Sequence, residues 1–103
     1  MKGNDGNDWM DGGADNDVMN GNDGTDSMFG RGGNDAMKGN DGNDLMCGAT
    51  DNDAMEGNDG ADRIDGGAGT DNVKGQSGID DCRRGDTYAT CEATSNVALP
   101  ECA

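Results

Sequence analysis

One apolar side chain recurs every nine residues along this chain. Met1, Met10, Met19, Met28, Met37, Met46 and Met55 stand nine apart, and Ile64, Val73, Cys82 and Cys91 continue the register. Between them lie mostly Gly, Asn and Asp. Cut from Gly3, residues 3–83 form nine units of nine. Column one is always glycine: Gly3, Gly12, Gly21, Gly30, Gly39, Gly48, Gly57, Gly66 and Gly75. Column six is always aspartate: Asp8, Asp17, Asp26, Asp35, Asp44, Asp53, Asp62, Asp71 and Asp80. Column eight carries the apolar residue, columns seven and nine hold anything from Trp9 to Lys38, and column four is glycine except at Asp15 and Asp51. A fixed period of this kind marks units that cannot bury an apolar face alone and must stack on their neighbours.

Glycine, and after it Asp or Asn, tolerates the left-handed backbone of a tight turn. Columns one to six therefore predict a turn, and columns seven to nine a strand of about three residues, roughly 10 Å long. In such a strand only the middle residue points inward, so the methionines are the core. A turn every nine residues makes one coil of about 18 residues from two units, with coils stacked about 4.8 Å apart. Met10, Met28, Met46, Ile64 and Cys82 are expected to line one sheet and to face Met19, Met37, Met55, Val73 and Cys91. The expected fold is all-β, a parallel two-sheet roll over residues 1–83. Residues 84–103 are expected to form an irregular C-terminal cap, since Arg84, Thr87 and Ala89 replace the glycine, the column-four residue and the aspartate. Pro100 keeps the tail from becoming a further strand.

Composition changes the picture in one respect. With 22 acidic and 7 basic residues, a charge of −15 and only 30% hydrophobic residues, disorder is the default expectation, and the strict period is what opposes it. The charge excludes a nucleic-acid backbone as partner, because phosphate contacts need clustered Lys and Arg, and it favours cations. No apolar run reaches even six residues, so no membrane insertion is expected. No histidine is present, and Ser27, Ser77 and Ser95 lack a neighbouring base in any recognisable motif, so the chain is read as no enzyme. Four cysteines, Cys47, Cys82, Cys91 and Cys102, point to an oxidising, extracellular compartment. Stacked carboxylates one coil apart repel by about 3 kcal/mol per pair at an effective dielectric near 20, and a cation between them reverses the sign. Oxygen ligands without histidine favour calcium, whose six to eight flexible contacts suit a carbonyl-rich loop better than the rigid octahedron of magnesium.

GNDGNDWMD and its successors resemble the glycine-rich nonapeptide of RTX (repeats-in-toxin) proteins, the haemolysin-type calcium-binding repeat with the pattern G-G-x-G-x-D-x-U-x. The resemblance covers residues 3–83. It implies a right-handed parallel β-roll with calcium between stacked turns, held by the column-six aspartates and loop carbonyls. Departures fall in column two, as at Asn4, Arg31, Ala49 and Gln76, and in column four at Asp15 and Asp51. If each ion bridges a turn to the next on its side, nine turns hold about seven calcium ions. Asp5, Asp23, Asp41 and Asp59 in column three read either as further calcium ligands or as solvated turn residues. With so thin a core, calcium uptake and folding are expected to be one event.

Other readings of the same residues are weaker. The methionine ladder suits copper(I), but Met is more simply a flexible core filler. Arg84, Gly85 and Asp86 resemble an integrin-recognition tripeptide, which arises readily by chance in a chain so rich in Gly and Asp. Asn4, Asn7, Asn22, Asn40, Asn43 and Asn58 form a row similar to ice-binding rolls, interrupted by Thr25 and Ala61. The rival classes are a structural or adhesive spacer of a larger surface protein, an ice-binding segment, and the secretion domain of a hydrolase. Cys82 and Cys91, one repeat apart, are the first choice for a disulfide; sheets about 10 Å apart must then pinch to bring the Cα atoms within about 7 Å. Cys47 is left free or joined to the distant tail. Met1 is in register and serves as well for an internal start as for a natural one, and the strand edge near residues 1–20 is expected to pair in a calcium-dependent homodimer.

Overall fold

The computed structural model describes residues 1–84, 87–89, 91, 93–95 and 99–102, with the backbone course alone for 87–89 and 93–95. The chain winds as a parallel β-solenoid. Strands β1 (Lys2–Asp5), β3 (Val18–Asp23), β5 (Ala36–Asp41), β7 (Ala54–Asp59), β9 (Asn72–Ser77) and β11 (Thr87–Ala89) form one sheet in that order. Strands β2 (Trp9–Gly13), β4 (Ser27–Arg31), β6 (Leu45–Thr50), β8 (Arg63–Ala68), β10 (Asp81–Arg83) and β12 (Ala93–Ser95) form the other. Pairing is parallel throughout, and Met10 lies beside Met28, Met28 beside Met46, Met46 beside Ile64 and Ile64 beside Cys82.

The full strands are longer than three residues. They run from column seven through column three of the next unit, as Ala36–Asp41 and Ala54–Asp59 do. Period-two alternation then turns two residues inward per strand, column eight and the column-one glycine; Met37 with Gly39 and Met55 with Gly57 are buried in this way. The core is the ladder Met10, Met19, Met28, Met37, Met46, Met55, Ile64, Val73 and Cys82, narrow because its other inward position has no side chain.

Two columns adopt the left-handed region. Column four does so as expected. Column two does so as well, at Asn22, Arg31, Ala49 and Gln76 with φ of 77°, 82°, 86° and 77°, so the departures from glycine there change the residue and not the backbone. Asp15 and Asp51 in column four sit at φ 79° and 76°, whereas Gly24, Gly42 and Gly60 open to 124°, 124° and 127°. A Cβ at Gly42 would stand 1.8 Å from the carbonyl oxygen of Gly24 one coil below, and the smaller φ accompanies the side chain at the two aspartates.

The C-terminal segment departs from expectation. Cys91 does not face the core from column eight of a strand: Tyr88 pairs with Val73, and Thr94 pairs with Cys82. The last coil is thus shorter than the others, and β11 and β12 extend both sheets into the tail. Cys91 lies outside the strands, packs against the core and bonds Cys82 with Cα atoms 5.9 Å apart. The expected pairing holds, and without a strand at Cys91 the sheets need no pinch. Cys47 bonds Cys102, as the distant-tail alternative had it. A 3-10 turn at Pro100–Cys102 lies on the outer face of the second sheet, where Leu99 N–H donates to Asp65 Oδ2 at 2.8 Å and Arg63 forks onto Glu101 at 2.7 and 3.0 Å. Cys47 and Asp65, both in outward column nine, are buried by it. Gly85 and Asp86 of the Arg-Gly-Asp tripeptide lie outside the described residues.

Among the described residues no helix is long and apolar enough to cross a membrane.

Candidate metal centres

The column-six aspartates stack in two rows, one along each edge of the roll. Asp8, Asp26, Asp44, Asp62 and Asp80 form the row of odd units, and Asp17, Asp35, Asp53 and Asp71 the row of even units. Each lies in the bend just before a strand, so its backbone N–H points along the stacking axis to the next coil. There it donates to the Oδ1 of the following aspartate: Asp8 to Asp26, Asp26 to Asp44, Asp44 to Asp62 and Asp62 to Asp80 at 2.8–2.9 Å. The even row repeats this from Asp17 through Asp71 at 2.8–2.9 Å. Column five supplies a ladder of opposite sense, in which Asn34 N–H donates to Asn16 Oδ1, Asn52 N–H to Asn34 Oδ1 and Thr70 N–H to Asn52 Oδ1. In the odd row Asn7 and Asn43 likewise accept from Thr25 and Ala61. Those amide oxygens therefore serve the turns of the roll, which removes support from reading the asparagines as a free ice-facing row.

The second carboxylate oxygen is left over. Among the described residues, Oδ2 of Asp8, Asp17, Asp26, Asp35, Asp44, Asp53 and Asp62 is buried with no hydrogen-bond partner. An unpaired buried carboxylate oxygen is costly, so its recurrence at these seven aspartates demands a compensating group. Column one shows how closely the oxygens of neighbouring coils are packed. A Cβ added at Gly21, Gly39 or Gly57 would stand 2.2–2.3 Å from Oδ2 of Asp26, Asp44 or Asp62 and 2.8 Å from the carbonyl oxygen of the column-one glycine one coil on. Oxygens of two coils thus converge on the space that the missing side chain leaves. None of the column-one glycines has positive φ; they are glycine because the carboxylate needs the room.

Burial pushes these carboxyls up from their ordinary value near 3.8: Asp44 to about 6, Asp53 and Asp62 to about 7. Desolvation is the leading cause, the backbone N–H bond to each opposes it, and the neighbouring aspartates one coil away add to it. Asp35 is raised in the same way. Column-three Asp41 and Asp59 lie close enough to contribute to the rise at Asp44 and Asp62, although Asp5, Asp23, Asp41 and Asp59 are themselves exposed and stacked in register along the odd edge.

The donor set fits a hard cation held mainly by oxygen. Among the described residues no three acidic or thiol groups converge on one point, so carboxylates alone do not complete a site, and turn carbonyls would have to supply the remaining oxygens. Calcium takes such mixed sets; magnesium and soft metals do not favour them. Met10, Met19, Met28, Met37, Met46 and Met55 are buried between the sheets as core, whereas Met1 is exposed.

The family described as RTX calcium-binding nonapeptide repeat (4 copies) matches residues 2–37, 20–55 and 48–82. No curated protein and no solved structure matches the chain.

Proposed function

The chain belongs to the RTX calcium-binding nonapeptide repeat family, and from that premise we propose that its calcium uptake and its folding are a single event, and that it works outside the cell as a non-catalytic module. The observation that carries this is the row of buried, partnerless Oδ2 atoms at Asp26, Asp35, Asp44, Asp53 and Asp62. Side chains buried ionised at these five positions oppose the fold unless cations neutralise them, and the core beside them is one side chain wide. Bound calcium supplies positive charge between neighbouring turns and so turns the repulsion within each row into attraction. The column-six aspartates, Asp8 through Asp80, are the proposed carboxylate ligands, about seven ions being held between the nine turns. The backbone does the rest: the column-one glycine keeps the space open, and the N–H of the previous coil fixes Oδ1 so that Oδ2 is presented.

Two disulfides, Cys47–Cys102 and Cys82–Cys91, support an oxidising compartment, where millimolar calcium is also found. The module then stays loosely ordered at low calcium and closes on release into high calcium.

Circular dichroism during a calcium titration of the oxidised chain tests this. The expected course runs from coil to β with a midpoint in the range of about 0.1–1 mM that extracellular modules show. Full β signal in excess chelator at neutral pH would overturn it.

A further inference from the structure

The two edges of the roll are not equivalent. Along the odd edge every turn before the last places a column-three carboxylate beside the column-six row: Asp5, Asp23, Asp41 and Asp59, in register from coil to coil. The series ends at Ser77. Column two on this edge is Asn4, Asn22, Asn40, Asn58 and Gln76, without a cation. The backbone is uniform too: Gly6, Gly24 and Gly42 N–H donate at 2.9 Å to the carbonyls of Asp23, Asp41 and Asp59.

The even edge differs in each respect. Column three is Ala14, Gly32, Thr50 and Ala68, and the additional carboxylates in these four turns are Asp15 and Asp51, two coils apart. Asp51 is already engaged, its Oδ2 accepting the Gly33 N–H at 3.1 Å. The column-four N–H of Gly33 thus meets a side chain where those of Gly6, Gly24 and Gly42 meet a backbone carbonyl. Two arginines stand at this edge: Arg31 in column two, in register between Gly13 and Ala49 and forked onto Asp11, and Arg84, whose carbonyl oxygen faces Gly66 and whose guanidinium is forked onto Asp65.

Resting on the calcium-binding reading above, we infer that this chain has two classes of calcium site, a tight row along the odd edge and a weaker row along the even edge. The column-six ladders are alike on the two edges, so the difference comes from what surrounds them. An added carboxylate close to a divalent ion strengthens its binding by a Coulomb term that remains appreciable over a few ångströms in water, whereas each even-edge arginine is offset by its own carboxylate. The partnerless Oδ2 atoms of Asp26, Asp44 and Asp62, buried beside the exposed column-three ladder, are the inner ligands of the tight row, and Asp23, Asp41 and Asp59 are its outer ones. Five odd turns and four even turns give about four tight and about three weak ions. Folding is then coupled to filling the tight row, and the weak row fills afterwards on the ordered roll.

Calorimetric calcium titration of the oxidised chain, with terbium luminescence sensitised by Trp9 as a second readout, tests this. Trp9 is the single tryptophan and directly follows Asp8, at the odd-edge end of β2. Two binding classes are expected, with the Trp9-sensitised signal rising in the tighter one. The double variant Asp23→Asn, Asp41→Asn should weaken the tight class by about threefold or more and leave the weak class within error. One class of equivalent sites, or a double variant that weakens both classes equally, would overturn the two-row assignment while leaving calcium binding intact. No calcium binding at all would instead refute the reading on which it rests.

Discussion

Gly39→Ala separates space from flexibility as the reason for the column-one glycine. The new Cβ would stand 2.2 Å from Asp44 Oδ2 and 2.8 Å from the Gly57 carbonyl oxygen, below any ordinary contact, and the backbone oxygen cannot swing aside. Asp44 has to move. Its Oδ1 then loses the Asp26 N–H, now at 2.8 Å, a bond to a charged acceptor worth about 1.5–3 kcal/mol, and residual overlap adds about 1–3 kcal/mol. A central expectation is about 4 kcal/mol. Shared over the about four tight ions whose uptake accompanies folding, this is about 1 kcal/mol per ion, a rise of about fivefold in the calcium midpoint. Gly32→Ala is the control. Its nearest atom is Thr50 Oγ1 at 3.5 Å and its φ is not positive, so alanine there should be neutral or slightly stabilising, by up to about 1 kcal/mol. Calcium titrations of both variants followed by circular dichroism give the comparison. Equal midpoints for the two would refute the argument that column one is reserved for the carboxylate.

In the metal-free roll Asp44, Asp53 and Asp62 have pKa values of about 6, 7 and 7 against an ordinary 3.8, so the folded form binds protons more tightly than the unfolded one. Their contribution to metal-free stability is full below about pH 4 and is lost as pH rises through 6 to 7; chelated protein should gain β signal on acidification from pH 8 to 5, and a flat profile would count against it. Since calcium needs the ionised form, the calcium midpoint should rise as pH falls from 8 to 6, read in the same titration. Cys102→Ser opens a bridge with a sequence separation of 55 and should cost up to about 4 kcal/mol, seen as a lower urea midpoint in saturating calcium. Arg84→Ala removes the bidentate partner of fully buried Asp65, at 2.7 and 2.9 Å, and should cost about 3 kcal/mol; chemical denaturation showing less than about 1 kcal/mol would mean that Leu99 N–H suffices.

Much of the roll is legible in the sequence because its interactions are translationally repeated. When a residue's neighbours are its own counterparts one coil away, a nine-residue period carries the core, the strand register and the two aspartate rows at once. The methionine ladder and the partnering of Met28 with Met10 and Met46 follow from that alone. What misled was the division of the unit into turn and strand. Gly, Asn and Asp in columns one to three read as turn formers by propensity, yet in Val18–Asp23 and its equivalents they continue the strand, because the parallel ladder on both sides supplies hydrogen bonds that local propensity does not count. The column-one glycine was attributed to the turn for the same reason, and its true neighbour, a carboxylate five residues on, is brought there only by the bend.

By itself, then, the sequence determined the repeating part of this protein: the all-β parallel architecture, the inward residue of each unit, the aspartate stacks and the oxygen-rich, histidine-free chemistry that suits calcium. Tertiary structure alone decided whatever breaks the repeat. Tyr88 rather than Cys91 pairs with Val73 because the last coil is shortened, and no periodic reading supplies a register once the period ends. Cys47 and Asp65, outward by every column rule, are buried because Leu99, Glu101 and Cys102 return over the second sheet. The difference between the edges begins in the sequence, in columns two to four, but what each aspartate meets is tertiary. Asp23 and Asp51 are both turn aspartates by sequence, but the fold stacks one in an unbroken ladder and joins the other to Gly33 N–H. A period encodes what each coil shares with the next; where a side chain meets a residue that is not its counterpart, only the folded chain brings the two together.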